Sequence, residues 1–189
     1  MLASKSSLDG IPLYVFTKED ADHAALQAVL QCGFEVLSTY SPRQLRQFRR
    51  YVRALAIRTH PQVRGQFDEA GATVVLSHHF VAAQTTQPSD VASVLVHEGV
   101  HARVAAAGIP YTPSLAIRIE RLCVREQLAF ARLLPPSQAG PMLAQLEANY
   151  RDADTLWSED AARQRRELAI AKVGTPPSLV RFLRWLSSS

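Results

Sequence analysis

Cysteine, long apolar runs and concentrated charge are all scarce in this chain of 189 residues. Two cysteines, Cys32 and Cys123, are too few for a disulfide framework, and they suit a reducing compartment as small buried residues. The sequence has no run of about 18 apolar residues, so it predicts no membrane-spanning segment. Residues 1–11 also lack the apolar run of a signal peptide. We therefore expect a cytoplasmic protein with no membrane partner.

The excess of basic over acidic residues is small, with 21 lysines and arginines against 17 acidic residues and a net charge of +4. The basic residues concentrate in 43–58 and 163–166, where helical spacing indicates solvated helix faces. Because no basic strand with interleaved aromatics and no recognition-helix pattern is present, we expect no nucleic-acid partner. A hydrophobic content of 47% is typical of a globular protein.

The first half of the chain mixes predicted strands and helices. Residues 10–17 are β-branched and aromatic, which predicts a strand, and helical spacing follows as far as Cys32-Gly33. Ser41-Pro42 is the start signal of a second helix, which we expect to end at His60-Pro61. Residues 66–77 then predict a β-hairpin with a short turn that contains glycine.

The second half of the chain is predicted to be helical throughout. Helical patterns cover 89–107, a segment from Thr112-Pro113 to Pro135, and 141–152, 159–172 and 177–187. This order predicts an α+β fold dominated by helix, with a small antiparallel sheet. We expect one domain over residues 1–189: sheet and early helices in 10–80, metal-binding helices in 89–134 and C-terminal helices in 141–187.

The chemistry-bearing motif is His97-Glu98-Gly99-Val100-His101, inside a helix that is otherwise almost entirely apolar. Two histidines four residues apart point to the same side of a helix, about 40° apart around its axis. At that spacing both imidazoles can bind one zinc ion. Glu98 lies about 100° from His97, too far to share the metal easily. It is placed to take a proton from a metal-bound water, which makes it the candidate general base.

A catalytic zinc usually takes a third protein ligand and keeps one position for water. On the next helix, Glu126 lies within a stripe of apolar residues that includes Phe130 and Leu133, and a carboxylate there needs a cation. Glu120, at the polar margin of that stripe, is the second candidate for the third ligand. Cys123, one turn before Glu126, is a further alternative, although buried cysteines more often serve as core packing.

The motif at 97–101, followed by a short loop and a helix that continues Glu126-Gln-Leu-Ala-Phe-Ala-Arg-Leu-Leu-Pro135, resembles the gluzincin branch of zinc metallopeptidases. It is most similar to small bacterial members, the minigluzincins and the ImmA/IrrE-type domains. The resemblance covers residues 89–135. It implies a zincin-like fold, with His97, His101 and Glu126 as the ligands of Zn²⁺ and Glu98 as the general base.

The same resemblance implies that the strand before the motif borders the metal cleft and pairs with an extended peptide, which is residues 72–77 here. Backbone pairing at an exposed strand edge is a general mode of peptide recognition. His78 and His79 follow that strand and are candidate substrate contacts, although loop histidines are more often simply exposed. Tyr111, between the two metal helices, is a candidate hydrogen-bond donor to the transition state. A loop aromatic of this kind more often simply packs on the core.

These observations predict a zinc-dependent peptide hydrolase whose partner is a peptide or protein substrate. The main alternative is a metal-binding regulatory or interaction domain with the same motif and little or no proteolysis of its own. A secreted effector protease is a third hypothesis, which nothing in residues 1–11 supports.

Overall fold

The computed structural model describes residues 2–17, 23–59, 63–152 and 155. Its strands form one five-stranded sheet in the order β1-β2-β3-β5-β4. Together with the helices, this sheet confirms the predicted α+β class. In chain order the elements are β1 (Leu2–Leu8), β2 (Ile11–Thr17), α1 (His23–Tyr40), α2 (Pro42–Tyr51), β3 (Ala54–Arg58), β4 (Gly65–Asp68), β5 (Thr73–Ser77), α3 (His78–Val81), α4 (Pro88–Ala106), α5 (Pro113–Ala131) and α6 (Pro136–Arg151).

The sheet is mixed, which corrects the expectation of an antiparallel one. The pairs β1–β2 and β4–β5 are antiparallel, whereas β3 runs parallel to both β2 and β5. Strand β3 was assigned to the second helix from the sequence, but that helix ends at Tyr51. Leu55 and Ile57 are fully buried in β3. A short apolar run in the middle of a sheet has the same composition as a buried helical turn, so periodicity could not distinguish them.

The β1–β2 hairpin depends on its two-residue turn, Asp9-Gly10. Both residues have positive φ angles, 55° and 80°. This left-handed conformation matches the twist of paired strands and is easiest for glycine. The turn aligns Leu8 with Ile11 and places both side chains in the core.

Helix α4 lies at the centre of the helical layer, in contact with α1, α2 and α5 and with strands β4 and β5. Its start is fixed by Pro88 and by a capping box in which Gln87 and Asp90 bond to each other's backbone. Because α4 is apolar on nearly every side, it can be packed from all of them. Helix α1 approaches it through Gly33, where an added Cβ would lie 2.6 Å from a methyl carbon of Val91. Gly33 therefore permits close packing and does not end α1 as expected.

The last described helix, α6, confirms the helix predicted over 141–152 but begins earlier, at Pro136. The helices predicted over 159–172 and 177–187 lie outside the described residues. Among the described helices, none combines the length and apolarity that crossing a membrane requires.

Candidate metal centre

Helix α4 carries His97 and His101 on one side, and their rings converge. Their Nε2 atoms lie 3.2 Å apart, and the ring centroids are separated by 5.0 Å. This geometry follows from the four-residue spacing on a helix. Both side chains are mostly covered, with 19% and 15% of their surface exposed. Two candidate nitrogen ligands are therefore held together at the wall of a cleft.

Helix α5 brings a carboxylate to the same point, and that carboxylate is Glu120. Its Oε2 lies 3.2 Å from Nε2 of His97, and its Oε1 lies 3.4 Å from Nε2 of His101. Glu120 is only 6% exposed, although it carries a charge. A carboxylate buried to this degree needs a cationic partner, and the histidine pair supplies one when protonated.

Glu126 lies away from the histidines, which corrects the expectation that it is the third ligand beside them. Its carboxylate accepts a hydrogen bond of 3.1 Å from Nε2 of Gln44 and lies 3.4 Å from the guanidinium of Arg103. Arg103 also donates to Gln47. Glu126 thus has the cation that the sequence argument required of it, and that cation is an arginine.

The correction has a simple geometric cause on α5. The apolar stripe inferred from the sequence included Leu133, which follows α5 and is in fact 54% exposed. The buried face of α5 lies further round the helix, on the side of Val124 and Leu128. On that face Glu120 is buried and Glu126 lies at the margin.

Cys123 completes a group of four side chains that can hold a metal ion. The ligand atoms of His97, His101, Glu120 and Cys123 all lie within 4.8 Å of one another. Burial, together with the nearby charges of Glu120 and Glu98, raises the pKa of the Cys123 thiol well above its ordinary value. Without a metal, the thiol is therefore protonated at neutral pH.

Glu98 lies beside this group of four side chains and is held by a different part of the protein. Its side chain is 5% exposed, and the backbone N–H of Phe67 in β4 donates to it. Burial raises the pKa of Glu98, and the nearby histidines only partly oppose that effect. A carboxyl group that lies beside the candidate ligands without being one of them, and whose pKa is raised, is suited to accept and return a proton. The approach of β4 requires Gly65, where an added Cβ would lie 3.1 Å from Oε1 of Glu98.

Gln127 is a buried neighbour of the candidate ligands that the sequence analysis missed. Its amide nitrogen donates to the backbone oxygen and the hydroxyl of Ser93, at 3.1 and 2.9 Å. Its carbonyl oxygen must then face His97, whose Nδ1 lies 3.0 Å away. Nδ1 is the donor in that bond, which leaves Nε2 of His97 directed towards His101 and Glu120. The signal in the sequence was the spacing of Glu120, Cys123 and Gln127, which share one face of α5.

The electrostatics of the metal-free group favour a proton between the histidines and Glu120. Burial lowers the pKa of His97, but the hydrogen bond to Glu120 and the charges of Glu98 and Glu120 raise it overall to about 9. The histidines in turn hold the pKa of Glu120 well below its usual range, against the effect of its burial. A cation is therefore favoured at this point.

Of the other candidates, the structure brings Tyr111 to the group. Its hydroxyl donates to Oε1 of Glu120 at 2.7 Å, and its ring lies 5.5 Å from that of His101. His78 and His79 lie in α3, and their rings are in contact with each other at 5.9 Å. They do not line the cleft that contains His97. Tyr111 is thus a neighbour of the candidate ligands, whereas the two α3 histidines line neither of the clefts that contain His97.

The cleft beside the candidate ligands has a volume of about 540 Å³ and is bordered by β4, from Gly65 to Phe67. The expectation that residues 72–77 form this border is corrected, because β5 is paired on both sides, by β3 and by β4. The backbone of β4 offers its outer edge to the cleft. Ser77 N–H donates to Arg64 C=O at 3.0 Å. Since hydrogen-bonded pairs alternate in an antiparallel ladder, the backbone groups of Gly65 and Phe67 point away from β5.

Comparisons with protein-family models, with curated protein sequences and with solved structures return no match for this chain. The case for a metal centre therefore rests on the residues of this chain alone.

Proposed function

We propose that this protein is a zinc-dependent peptide hydrolase, similar to gluzincins, with Glu120 in the place that the resemblance gave to Glu126. The observation that carries the proposal is one buried constellation. His97, His101 and Glu120 converge within hydrogen-bonding distance, and the separately held carboxyl of Glu98 lies beside them.

The donor set fits zinc. Two neutral imidazole nitrogens and one carboxylate oxygen are the ligands of a common class of catalytic zinc site, which keeps a position for water. Gln127 orients His97 so that its Nε2 can coordinate, as outer partners of metal-bound histidines commonly do. A zinc ion in this place would polarise the scissile carbonyl and make a water molecule more acidic.

The chain's own residues carry the remaining work. A carboxylate oxygen of Glu98 accepts the proton of the attacking water and returns it to the departing amine. The Phe67 N–H keeps that carboxylate beside the ligands. The outward backbone groups of Gly65 pair with an extended substrate, as strand edges do in peptide recognition. The hydroxyl of Tyr111 donates a hydrogen bond to Glu120 and orients its carboxylate.

Replacement of Glu98 by Gln tests this proposal. The variant keeps the size of the side chain and loses its basicity, so zinc content measured by elemental analysis should stay near one per chain. Cleavage of a broad peptide library should fall by roughly 10²–10⁴-fold. Glu35→Gln makes the same chemical change at an exposed position of α1 and is the matched control. Zinc-loaded wild-type protein that cleaves no peptide, or a Glu98→Gln variant at the wild-type rate, would overturn the proposal.

Cys123 supports a second candidate function, a regulatory metal-binding domain. With four protein ligands, the metal would have no position for water, as in structural zinc sites. Cobalt(II) in place of zinc distinguishes the two functions, because a thiolate bound to cobalt gives a charge-transfer absorption in the near ultraviolet. A hydrolase with an open position should lack this band. A band that disappears in Cys123→Ala would show that Cys123 is a ligand and would favour the four-ligand site over the proposed hydrolase centre.

A further inference from the structure

Several exposed apolar side chains line the cleft beside the candidate ligands. The described residues include five large apolar side chains that are strongly exposed, and three of these line the cleft. They are Val63, Ile109 and Tyr111, with exposed fractions of 37%, 44% and 51%. Val63 precedes β4, and the other two follow α4. Separate segments therefore contribute exposed apolar surface to one cleft, which is typical of a binding surface.

Further apolar side chains line the same cleft. They are Phe67 from β4 and Val104 and Ala105 from the C-terminal part of α4. The candidate ligands His101 and Glu120 line it as well. Apolar side chains thus make up about half of the lining and lie in the same cleft as the candidate ligands.

A second cleft, of about 620 Å³, begins on the other side of the same residues. The two clefts share Gly65, His97 and Glu98. The second has more polar side chains, among them Arg64, Asp90, Gln145 and Asn149, beside a few apolar ones from α6. It extends from the N-terminal part of α4 to α6. Glu98 therefore lies at the junction of two arms, an apolar arm with exposed apolar side chains and a polar arm with charged and amide side chains.

We propose that the substrate is an extended polypeptide segment with an apolar side chain on one side of the cleaved bond and a polar side chain on the other. This inference rests on the proposed hydrolase function. The edge of β4 holds the segment by its backbone, since the outward groups of Gly65 lie at the junction of both arms. The apolar side chain, aliphatic or aromatic, occupies the pocket formed by Val63, Ile109 and Tyr111. Arg64, Asp90, Gln145 and Asn149 surround the polar one.

Cleavage mapping tests the preference. Zinc-loaded protein is incubated with a library of eight-residue peptides, and the cut sites are read by mass spectrometry. Cut sites should carry Leu, Phe, Met or Ile at one fixed position beside the cleaved bond and polar residues on the other side. Exchange of that apolar residue for Ala should lower kcat/KM by about 10–100-fold.

Ile109→Ser should lower the preference for the apolar residue while zinc content stays unchanged. Leu133→Ser makes the matched change at another exposed apolar residue, outside both clefts, and should retain the preference. Cleavage without side-chain preference, or an equal preference in Ile109→Ser, would overturn this inference and leave the proposed hydrolase intact.

A binding measurement keeps the two proposals distinguishable if no peptide is cleaved. Labelled apolar peptides and their Ala-substituted partners are titrated into zinc-loaded Glu98→Gln, and fluorescence anisotropy reports binding. Tighter binding of the apolar peptides that is lost in the double variant with Ile109→Ser would support the apolar arm without any turnover. Equal binding of both peptides would overturn it.

Discussion

Gln127 accepts a hydrogen bond from Nδ1 of His97 at 3.0 Å, and its own amide is fixed by two bonds to Ser93. The bond joins α5 to α4 directly behind the candidate ligands. Since Gln127 is only 8% exposed, water is poorly placed to replace it. One neutral side chain thus sets the tautomer of His97 and the direction of its Nε2.

Replacement of Gln127 by Leu should therefore weaken zinc binding by roughly 10–100-fold, the usual cost of losing an outer hydrogen-bond partner of a ligand. Competition with a chromophoric chelator measures this affinity. Gln127→Glu restores the acceptor and should recover most of the loss. Equal affinity in the wild type and Gln127→Leu would contradict the orienting role.

The third ligand can be decided by a matched pair of variants. Glu120→Gln should lower zinc affinity by more than the roughly 100-fold that an outer partner can contribute, because a ligand itself is removed. Glu126→Gln should leave affinity near the wild-type value, since the carboxylate of Glu126 faces Gln44 and Arg103. Calorimetric titration with zinc compares the two variants. The opposite ranking would return the third ligand to Glu126.

The sequence located the centre of the site better than its surroundings. The spacing of His97 and His101 required their convergence, whatever else packed against α4. The third carboxylate depended on which face of α5 is buried, and burial is a property of tertiary packing. Apolar residues alone misplaced that face, because Leu133 is exposed and Gln127 is buried.

The order of the strands in the sheet likewise could not be predicted from local sequence patterns. The β4–β5 hairpin was predictable from two short runs and a turn, but its place in the sheet was not. Strand β3 lies in the segment that the sequence predicts as the end of the second helix. It pairs with β5, so β4 forms the open edge of the sheet on that side. Strand β1 is polar through Lys5, Ser6 and Ser7, and its only local signal was the Asp9-Gly10 turn.

The stability of the metal-free protein should fall as pH rises from 6.5 through about 9. Although burial opposes it, the bond to Glu120 raises the pKa of His97 from 6.5 to about 9. The native state therefore binds this proton more tightly than the unfolded state. Its stabilisation is fully present below 6.5 and is lost as pH rises through the raised pKa. Glu98, whose pKa is raised by burial, acts in the same direction.

Thermal unfolding of chelator-treated protein over a pH series measures this effect. The melting temperature should decline across the interval, and His97→Gln should show a smaller decline because its side chain does not titrate. A melting temperature that rises between pH 6.5 and 9 would contradict the assigned direction.

Replacement of Gly65 by Ala tests the contact between the strand edge and the proposed general base. An added Cβ would lie 2.6 Å from a methyl carbon of Val94 and 3.1 Å from Oε1 of Glu98. Either β4 moves away or Glu98 is displaced, and overpacking of this kind costs about 1–3 kcal/mol. Gly140→Ala is the control, because nothing outside its own stretch of α6 lies within 4 Å of an added Cβ. That variant should stay close to the wild-type stability, because the ring of the following Pro141 opposes the usual gain of alanine over glycine inside a helix. Denaturant unfolding gives both free energies of unfolding.

We expect Gly65→Ala to lose peptide cleavage out of proportion to its stability while it keeps its zinc, since the change affects Glu98 and the edge of β4 but none of the ligands. Full cleavage activity in Gly65→Ala would show that neither the position of Glu98 nor the edge of β4 limits the reaction.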